Sequence, residues 1–252
     1  MFSVADIETN RLERAGADTL TLDPWPTPRT HAEPGAILWP RTDALRRQLN
    51  VLVAFAALLI VAPVMLIIAI AIKLASPGPV LFTQVRVGLD RRSPLEEAGN
   101  WRRKVDYGGR LFTLYKFRTM EHRPDGAPEV WAERNDPRIF PLGGFLRKYR
   151  LDELPQLFNV LKGDMNIVGP RPEQPSIFMD LREQIDRYPQ RQRVLPGITG
   201  LAQVNQHYDT CLEDVRRKVA YDLEYIRRQS VAEDLKIMAQ TLPAVVLKKG
   251  GW

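Results

Sequence analysis

VLVAFAALLIVAPVMLIIAIAI, residues 51–72, runs for 22 residues without a charge or a hydrogen-bonding side chain. At a rise of about 1.5 Å per residue, a straight helix of that length reaches about 33 Å, enough to cross a hydrocarbon core. A single transmembrane helix is therefore the plain reading. Two features favour another. Pro63 stands near the middle, where it removes a backbone donor and bends or breaks a helix. Basic residues also flank the run at both ends, Arg46 and Arg47 before it and Lys73 after it. Positive charge prefers the cytoplasmic side, so this pattern suits a helix broken at Pro63 that dips into the bilayer and returns to the same face.

Outward from this run, the chain changes character in both directions. Residues 1–45 hold seven acidic against four basic side chains, with prolines at 24, 26, 28, 34 and 40, and read as a disordered tail without a secretory signal. Residues 46–75 form the membrane segment, and 76–252 are long enough for one catalytic domain. Within residues 73–118, ten basic side chains face four acidic ones, so the whole-chain excess of +6 gathers just after the membrane run. Such a surface suits anionic lipid. A composition of 44% hydrophobic and 26% charged residues excludes a disordered chain, a collagen-like repeat and a many-helix transporter. One cysteine, Cys211, excludes an internal disulfide.

Absent motifs narrow the chemistry. There is no P-loop, no dinucleotide-binding glycine turn and no serine-hydrolase elbow, and His31, His122 and His207 lack partners at metal-ligand spacing. The informative stretch is RKYRLDELPQLFNVL, residues 147–161. Leu151, Leu154, Leu157, Phe158 and Leu161 share a helical face, and Pro155 belongs in a first turn. Asp152 and Glu153 then sit at a helix N-terminus, where both carboxylates are expected to stay ionised and a phosphate can settle. An N-cap with a solvated acid is the alternative. Downstream, Gly169-Pro170-Arg171-Pro172 holds one arginine between two prolines, a stiff presentation suited to phosphate. Upstream, Lys116 and Arg118 bracket Phe117 at the end of an apolar strand. In a predicted helix from Leu212 to Arg228, Asp222 borders the apolar stripe, so it is either paired or facing an active site. Strands are expected at Val80–Val85 and Leu111–Tyr115. The segment Val231–Lys249 reads equally as an interfacial or a core helix. The fold class is α/β, mainly helical, with short strands and amphipathic interfacial helices behind the membrane segment.

The motifs SPGPVLFTQVRVG (76–88), RLFTLYKFRTM (110–120), LDELPQLFNVLKGDMNIVGPRP (151–172) and PGITGLAQVN (196–205) resemble the bacterial sugar transferases known as monotopic phosphoglycosyl transferases. The resemblance implies transfer of a sugar 1-phosphate from a nucleotide-diphosphate sugar, expected to be a UDP-sugar, to polyprenol (undecaprenyl) phosphate. It also implies a re-entrant helix, and a catalytic domain on the cytoplasmic face of the bacterial inner membrane. By the same resemblance, Asp152 is the nucleophile and Glu153 the Mg²⁺ ligand. Lys116 and Arg171 bind phosphate, and Asp222 and Asp234 support the site. Arg118 joins the expected phosphate-binding set, and a homodimer is a further expectation. Departures are Ala62 before the membrane proline, an insertion at 90–109, and Gln206-His207-Tyr208 after Val204-Asn205. Two other readings stand beside the transferase. One is a membrane-tethered module that binds nucleic acid or a partner protein through its basic face; the other is a diphosphate hydrolase. Aromatic residues lie inside apolar patterns rather than among the arginines, which argues against nucleic acid.

Overall fold

The computed structural model describes residues 44–91, 107–121, 136–206 and 211–246. Helix α1, Ala44–Ala75, takes in the whole apolar run, and the chain stays helical on both sides of Pro63. The expected break is therefore not a gap between two helices. A proline deletes one hydrogen bond of the ladder, and a long apolar helix continues past that loss. One face of α1 packs against the rest of the protein throughout its length. Arg46, Asn50, Ala54, Ile68 and Ile72 are buried, with Ala57, Val61 and Met65 partly buried between them, a recurrence of three or four residues. Leu52, Phe55, Leu59, Ile60, Leu66, Ile67 and Ile70 cover the opposite face and are exposed. By length and composition, this helix is apolar enough to cross a membrane.

The basic flank at its N-terminal end turns into the globular part. Arg46 is buried and pairs with Asp234 at 2.7 Å. Arg47 donates to the Val160 and Leu161 carbonyls at 2.8 and 3.2 Å. Both guanidiniums satisfy groups of the globular part, which composition alone could not distinguish from contact with head groups. Lys73 is exposed and donates to the Gly78 carbonyl.

Strands β1 (Leu81–Val87) and β2 (Leu111–Phe117) form an antiparallel pair in which Leu81 faces Phe117 and Val87 faces Leu111. Phe112, Leu114 and Phe117 of β2 are buried, and Phe117 joins Ile68, Ile72, Phe140 and Leu146 in one apolar cluster. Helix α2 is Pro141–Lys148, and a 3₁₀ turn follows at Leu151–Glu153. Helix α3 is Gln156–Lys162, with Pro155 as its N-cap. The separate turn breaks the helical phase assumed from sequence. Consequently Phe158 is exposed, while Val160 takes the fully buried position.

Strands β3 (Asn166–Val168) and β4 (Gly197–Thr199) pair in parallel. At three residues each, they are too short for alternation to reveal them. Between them lie α4 (Pro175–Gln184) and a 3₁₀ segment, Tyr188–Arg193. Glycine is required where the two segments meet. A Cβ on Gly197 would lie 2.1 Å from the Gly169 nitrogen, and one on Gly169 would lie 2.4 Å from the Leu195 carbonyl oxygen. Helices α5 (Leu201–Asn205), α6 (Leu212–Arg228) and α7 (Val231–Val246) complete the fold. Val219, Asp222, Tyr225 and Ile226 form the buried stripe of α6. In α7, Asp234 and Ile237 are fully buried, so this helix contributes to the core. Most of the expected insertion at 90–109, and His207 and Tyr208, lie outside the described residues.

Candidate active site

Asp152 and Glu153 stand in the 3₁₀ turn, one turn before α3 rather than within it. The chain enters this turn through Arg150 at φ 55°, a left-handed conformation that costs a non-glycine residue about 1 kcal/mol or more. Both carboxylates are buried, at 8% and 7% exposure. Lys116, projecting from β2, places Nζ 2.9 Å from Glu153 Oε1 and 3.9 Å from Asp152 Oδ2. Arg171 donates to the same Oε1 at 2.7 Å, and Arg150 approaches Oε2 at 4.0 Å. Lys116, Asp152, Glu153 and Arg171 are therefore brought together, although 55 residues separate the first from the last.

The two acids are driven apart electrostatically. Burial pushes both upward. At Glu153, Arg171, Lys116 and Arg150 outweigh burial and hold the carboxyl well below the usual range. At Asp152 burial prevails. Glu153 reinforces it, while Lys116, Arg171 and Arg147 pull back less strongly, and the pKa is raised. Helix position alone gives no reason for the two acids to differ; burial and the placement of the cations shift them in opposite directions.

The loop carrying Arg171 is fixed on every side. Gly197 donates to the Pro170 carbonyl at 2.9 Å, and Val87 to that of Glu173 at 2.9 Å. Arg191 donates to the Arg171 carbonyl at 3.1 Å and Arg86 to the Pro172 carbonyl at 3.1 Å. Fully buried Arg191 pairs with Asp222 at 2.6 Å and lies 3.7 Å from Glu173, while Lys218 bonds Glu173 at 2.7 Å. Burial opposes the charge on Arg191, but Asp222, Tyr188 and Glu173 outweigh it and push its pKa up. Burial likewise raises Glu173, and Lys218, Arg191 and Arg86 overcome it, bringing this carboxyl to about 2. Asp222 is thus paired, one step behind Arg171. Its need for a partner was legible in the sequence; which cation, 31 residues away, was not. Arg191, Glu173, Lys218 and Arg150 all escaped the sequence reading.

Two expected site residues lie elsewhere. Arg118 donates to Ser76 Oγ and to the Ser76 and Pro79 carbonyls at 2.6–2.7 Å, tying the end of α1 to β2. Those bonds, with the ring of Phe140 5.6 Å away, occupy its guanidinium, so it is not presented to a phosphate. Asp234 bonds Arg46 and Tyr225, anchoring the other end of α1.

No group of three or more His, Cys, Asp or Glu side chains assembles among the described residues, so no all-protein metal cage is present there. Glu153 fits a different arrangement. Its pKa is held low, with Oε1 taken by Lys116 and Arg171 and Oε2 4.0 Å from Arg150, and a hard carboxylate oxygen of this kind would suit a Mg²⁺ ion shared with a diphosphate.

A buried carboxylate pair, unequal in basicity and ringed by positioned cations, defines a site for chemistry on phosphate esters, here carried beside a long apolar helix. The sequence matches the family described as bacterial sugar transferase over residues 41–248, and the chain belongs to that family. It is 41% identical over 201 residues to UDP-glucose:undecaprenyl-phosphate glucose-1-phosphate transferase of Escherichia coli, covering 79% of this chain and 39% of the relative. A protein of the same description from Caulobacter vibrioides is 40% identical over 206 residues, 81% of this chain and 70% of that one. Exopolysaccharide production protein ExoY of Rhizobium meliloti is 32% identical over 239 residues, 87% of this chain and 93% of the relative.

Proposed function

We propose that this chain transfers a sugar 1-phosphate from a UDP-sugar to undecaprenyl phosphate in two displacements at Asp152, opening the assembly of an exopolysaccharide, an O-antigen or a related glycan. The observation that carries the reading is the placement of the two adjacent buried acids: Arg171 and Lys116 bond Glu153 at 2.7 and 2.9 Å, while Asp152 stands 3.9 Å from Lys116 with its pKa raised by burial. An ionised carboxylate of raised pKa is a stronger nucleophile than an ordinary one. In the first displacement, an Asp152 carboxylate oxygen attacks the sugar-bearing phosphorus. The bond from that phosphorus to the bridging oxygen breaks, and UMP leaves with the electron pair. In the second, an oxygen of the acceptor phosphate attacks the same phosphorus, the Asp152–phosphorus bond breaks, and the carboxylate is regenerated. Lys116 and Arg171 offset the repulsion between Asp152 and the incoming diphosphate. Glu153 and the diphosphate oxygens would hold Mg²⁺, which supplies further charge neutralisation when bound.

We also place both ends of α1 on the cytoplasmic side of the inner membrane. Packing supports this: Arg46, Asn50 and Ala54 at one end, and Ile68 and Ile72 at the other, are all buried against the same globular part. A through-span would separate the two ends by about 30 Å of hydrocarbon. Cysteines at Leu45 and Lys73 in a Cys211→Ala background should label from one face; labelling from opposite faces would remove the re-entrant arrangement. The binding-module alternative loses ground because Arg46, Arg47, Arg118 and Arg191 all turn inward onto carboxylates and carbonyls.

The chemistry is tested by mixing enzyme, Mg²⁺ and a panel of UDP-sugars without lipid. A burst of UMP, about one per active enzyme and absent in Asp152→Asn, is expected. UMP release only when acceptor is present, or an undiminished burst in the variant, would refute the two-step course.

A further inference from the structure

Beside the carboxylate pair lies an open cavity of about 320 Å³ that the displacement steps do not use. Glu153 and Arg150 are among its lining residues. The remaining wall is largely carbon: Ala57 and Val61 from α1, Leu151, Leu154 and Leu157 from the catalytic turn and α3, and Val204 from α5. Its few polar side chains are partly satisfied by each other or by the backbone, the buried Gln203 Oε1 having no partner among the described residues. The Thr199 and Thr241 hydroxyls lie 2.8 Å apart, Thr241 also donates to the Ile237 carbonyl, and the Gln203 amide donates to the Ile198 carbonyl.

A sugar or a uridine brings several hydroxyls and ring polar groups, each costly to bury without a partner. This wall offers them little. It suits a hydrocarbon chain, and its volume lies within the range of small-molecule pockets. Its position selects which chain. Ala57 and Val61 belong to the uncharged run, one turn apart, and Leu59, Ile60 and Val64 are exposed around the same turns on the face that lipid would cover. The cavity thus touches both the apolar helix and Glu153, the neighbour of Asp152 in the catalytic turn. A ligand filling it must be a hydrocarbon tail bearing an anionic head.

We propose that this cavity receives the phosphate-proximal end of the acceptor's polyprenyl chain. Burial of the tail against Ala57, Val61, Leu154 and Val204 draws the acceptor phosphate toward Arg150 and Asp152 for the second displacement. The proposal rests on the transferase reading above and specifies where its acceptor lies.

The test fills the cavity from two independent walls, with Val61→Trp and Val204→Trp in the full chain reconstituted into nanodiscs. Thermal unfolding first selects variants that retain a wild-type transition. The lipid-free UMP burst then serves as the internal reference, because the first displacement uses no acceptor. The expected result is an unchanged burst with the KM for undecaprenyl phosphate raised at least tenfold. Methyl phosphate, an acceptor with no tail to place in the cavity, should be affected less than threefold. A diazirine-bearing polyprenyl phosphate should cross-link to peptides holding Val61 or Val204, with protection by undecaprenyl phosphate and none by added phosphatidylglycerol. An intact burst with an unchanged undecaprenyl KM overturns the assignment and leaves the transferase reading standing. Loss of the burst in folded variants gives the cavity to the donor and also overturns it. Equal protection by phosphatidylglycerol makes it a bilayer-lipid site, with the same consequence. Absence of any burst in the unaltered protein defeats the parent reading instead.

Discussion

Replacing Asp234 by asparagine keeps the shape of the anchor beneath α1 and removes its charge. Arg46 Nε and Nη2 reach Asp234 Oδ2 at 3.0 and 2.7 Å, and Tyr225 donates to Oδ1 at 2.8 Å. The two charged side chains are 8% and 0% exposed, so water cannot compensate a guanidinium left alone. Breaking such a buried pair from one side costs about 3–5 kcal/mol. For a chain of this size, each kcal/mol moves Tm by about 2–4 °C, giving a fall of roughly 6–20 °C. Arg46→Met should cost a similar amount. The double variant Arg46→Met/Asp234→Leu should cost no more than about 2 kcal/mol, because an apolar pair of similar volume often replaces a buried ion pair with little loss. The assay is thermal unfolding at fixed lipid-to-protein ratio, with UMP release per folded molecule measured alongside. Single variants within about 0.5 kcal/mol of the parent, or a double variant equal to the sum of the singles, would refute the anchoring argument. Loss of the burst in folded Asp234→Asn would return Asp234 to the active site.

Three further outcomes follow from the site and its supports. Lys116→Gln removes the strongest of the cations that oppose burial at Asp152, so the acid limb of the first displacement should move to higher pH, with partial restoration in Lys116→Arg; an unmoved pH profile would contradict the assigned role. Glu173, depressed to about 2 in the folded protein, should contribute roughly 3 kcal/mol. That contribution is complete above its unfolded pKa, near 4.5, and is lost as pH falls toward 2; acid unfolding of Glu173→Gln should lack this component. Gly197→Ala should destabilise by about 1–3 kcal/mol and slow the first displacement by shifting the loop of Arg171, whereas Gly144→Ala, whose Cβ would meet only Ile139 at 3.8 Å, should be neutral or slightly stabilising in thermal melts.

How far the sequence revealed this protein depended on the range of the interaction. The apolar run, the strands β1 and β2 and helix α6 follow from local periodicity, and the structure contains each of them, both strands ending two residues later than expected. The adjacent acids and the proline-flanked arginine were legible because motif spacing is itself local. What remained hidden was pairing over long separations. Arg46 and Arg47 read as the basic flank of a membrane run, yet their partners lie 113 or more residues away inside the protein. Arg118 resembled a phosphate ligand for the same reason: two cations around an aromatic look alike until one of them meets Ser76 and Pro79. The unequal basicity of Asp152 and Glu153 arises from which of them Arg171 touches, a fact of tertiary geometry.

The central claim is a covalent phosphosugar on Asp152, and acid-quenched peptide mass spectrometry after incubation with Mg²⁺ and UDP-sugar in the absence of lipid tests it directly. The account predicts one hexose-phosphate increment on the peptide containing Asp152, removed by adding undecaprenyl phosphate and absent in Asp152→Asn. An increment on another residue, or full transfer to lipid by Asp152→Asn, would contradict it.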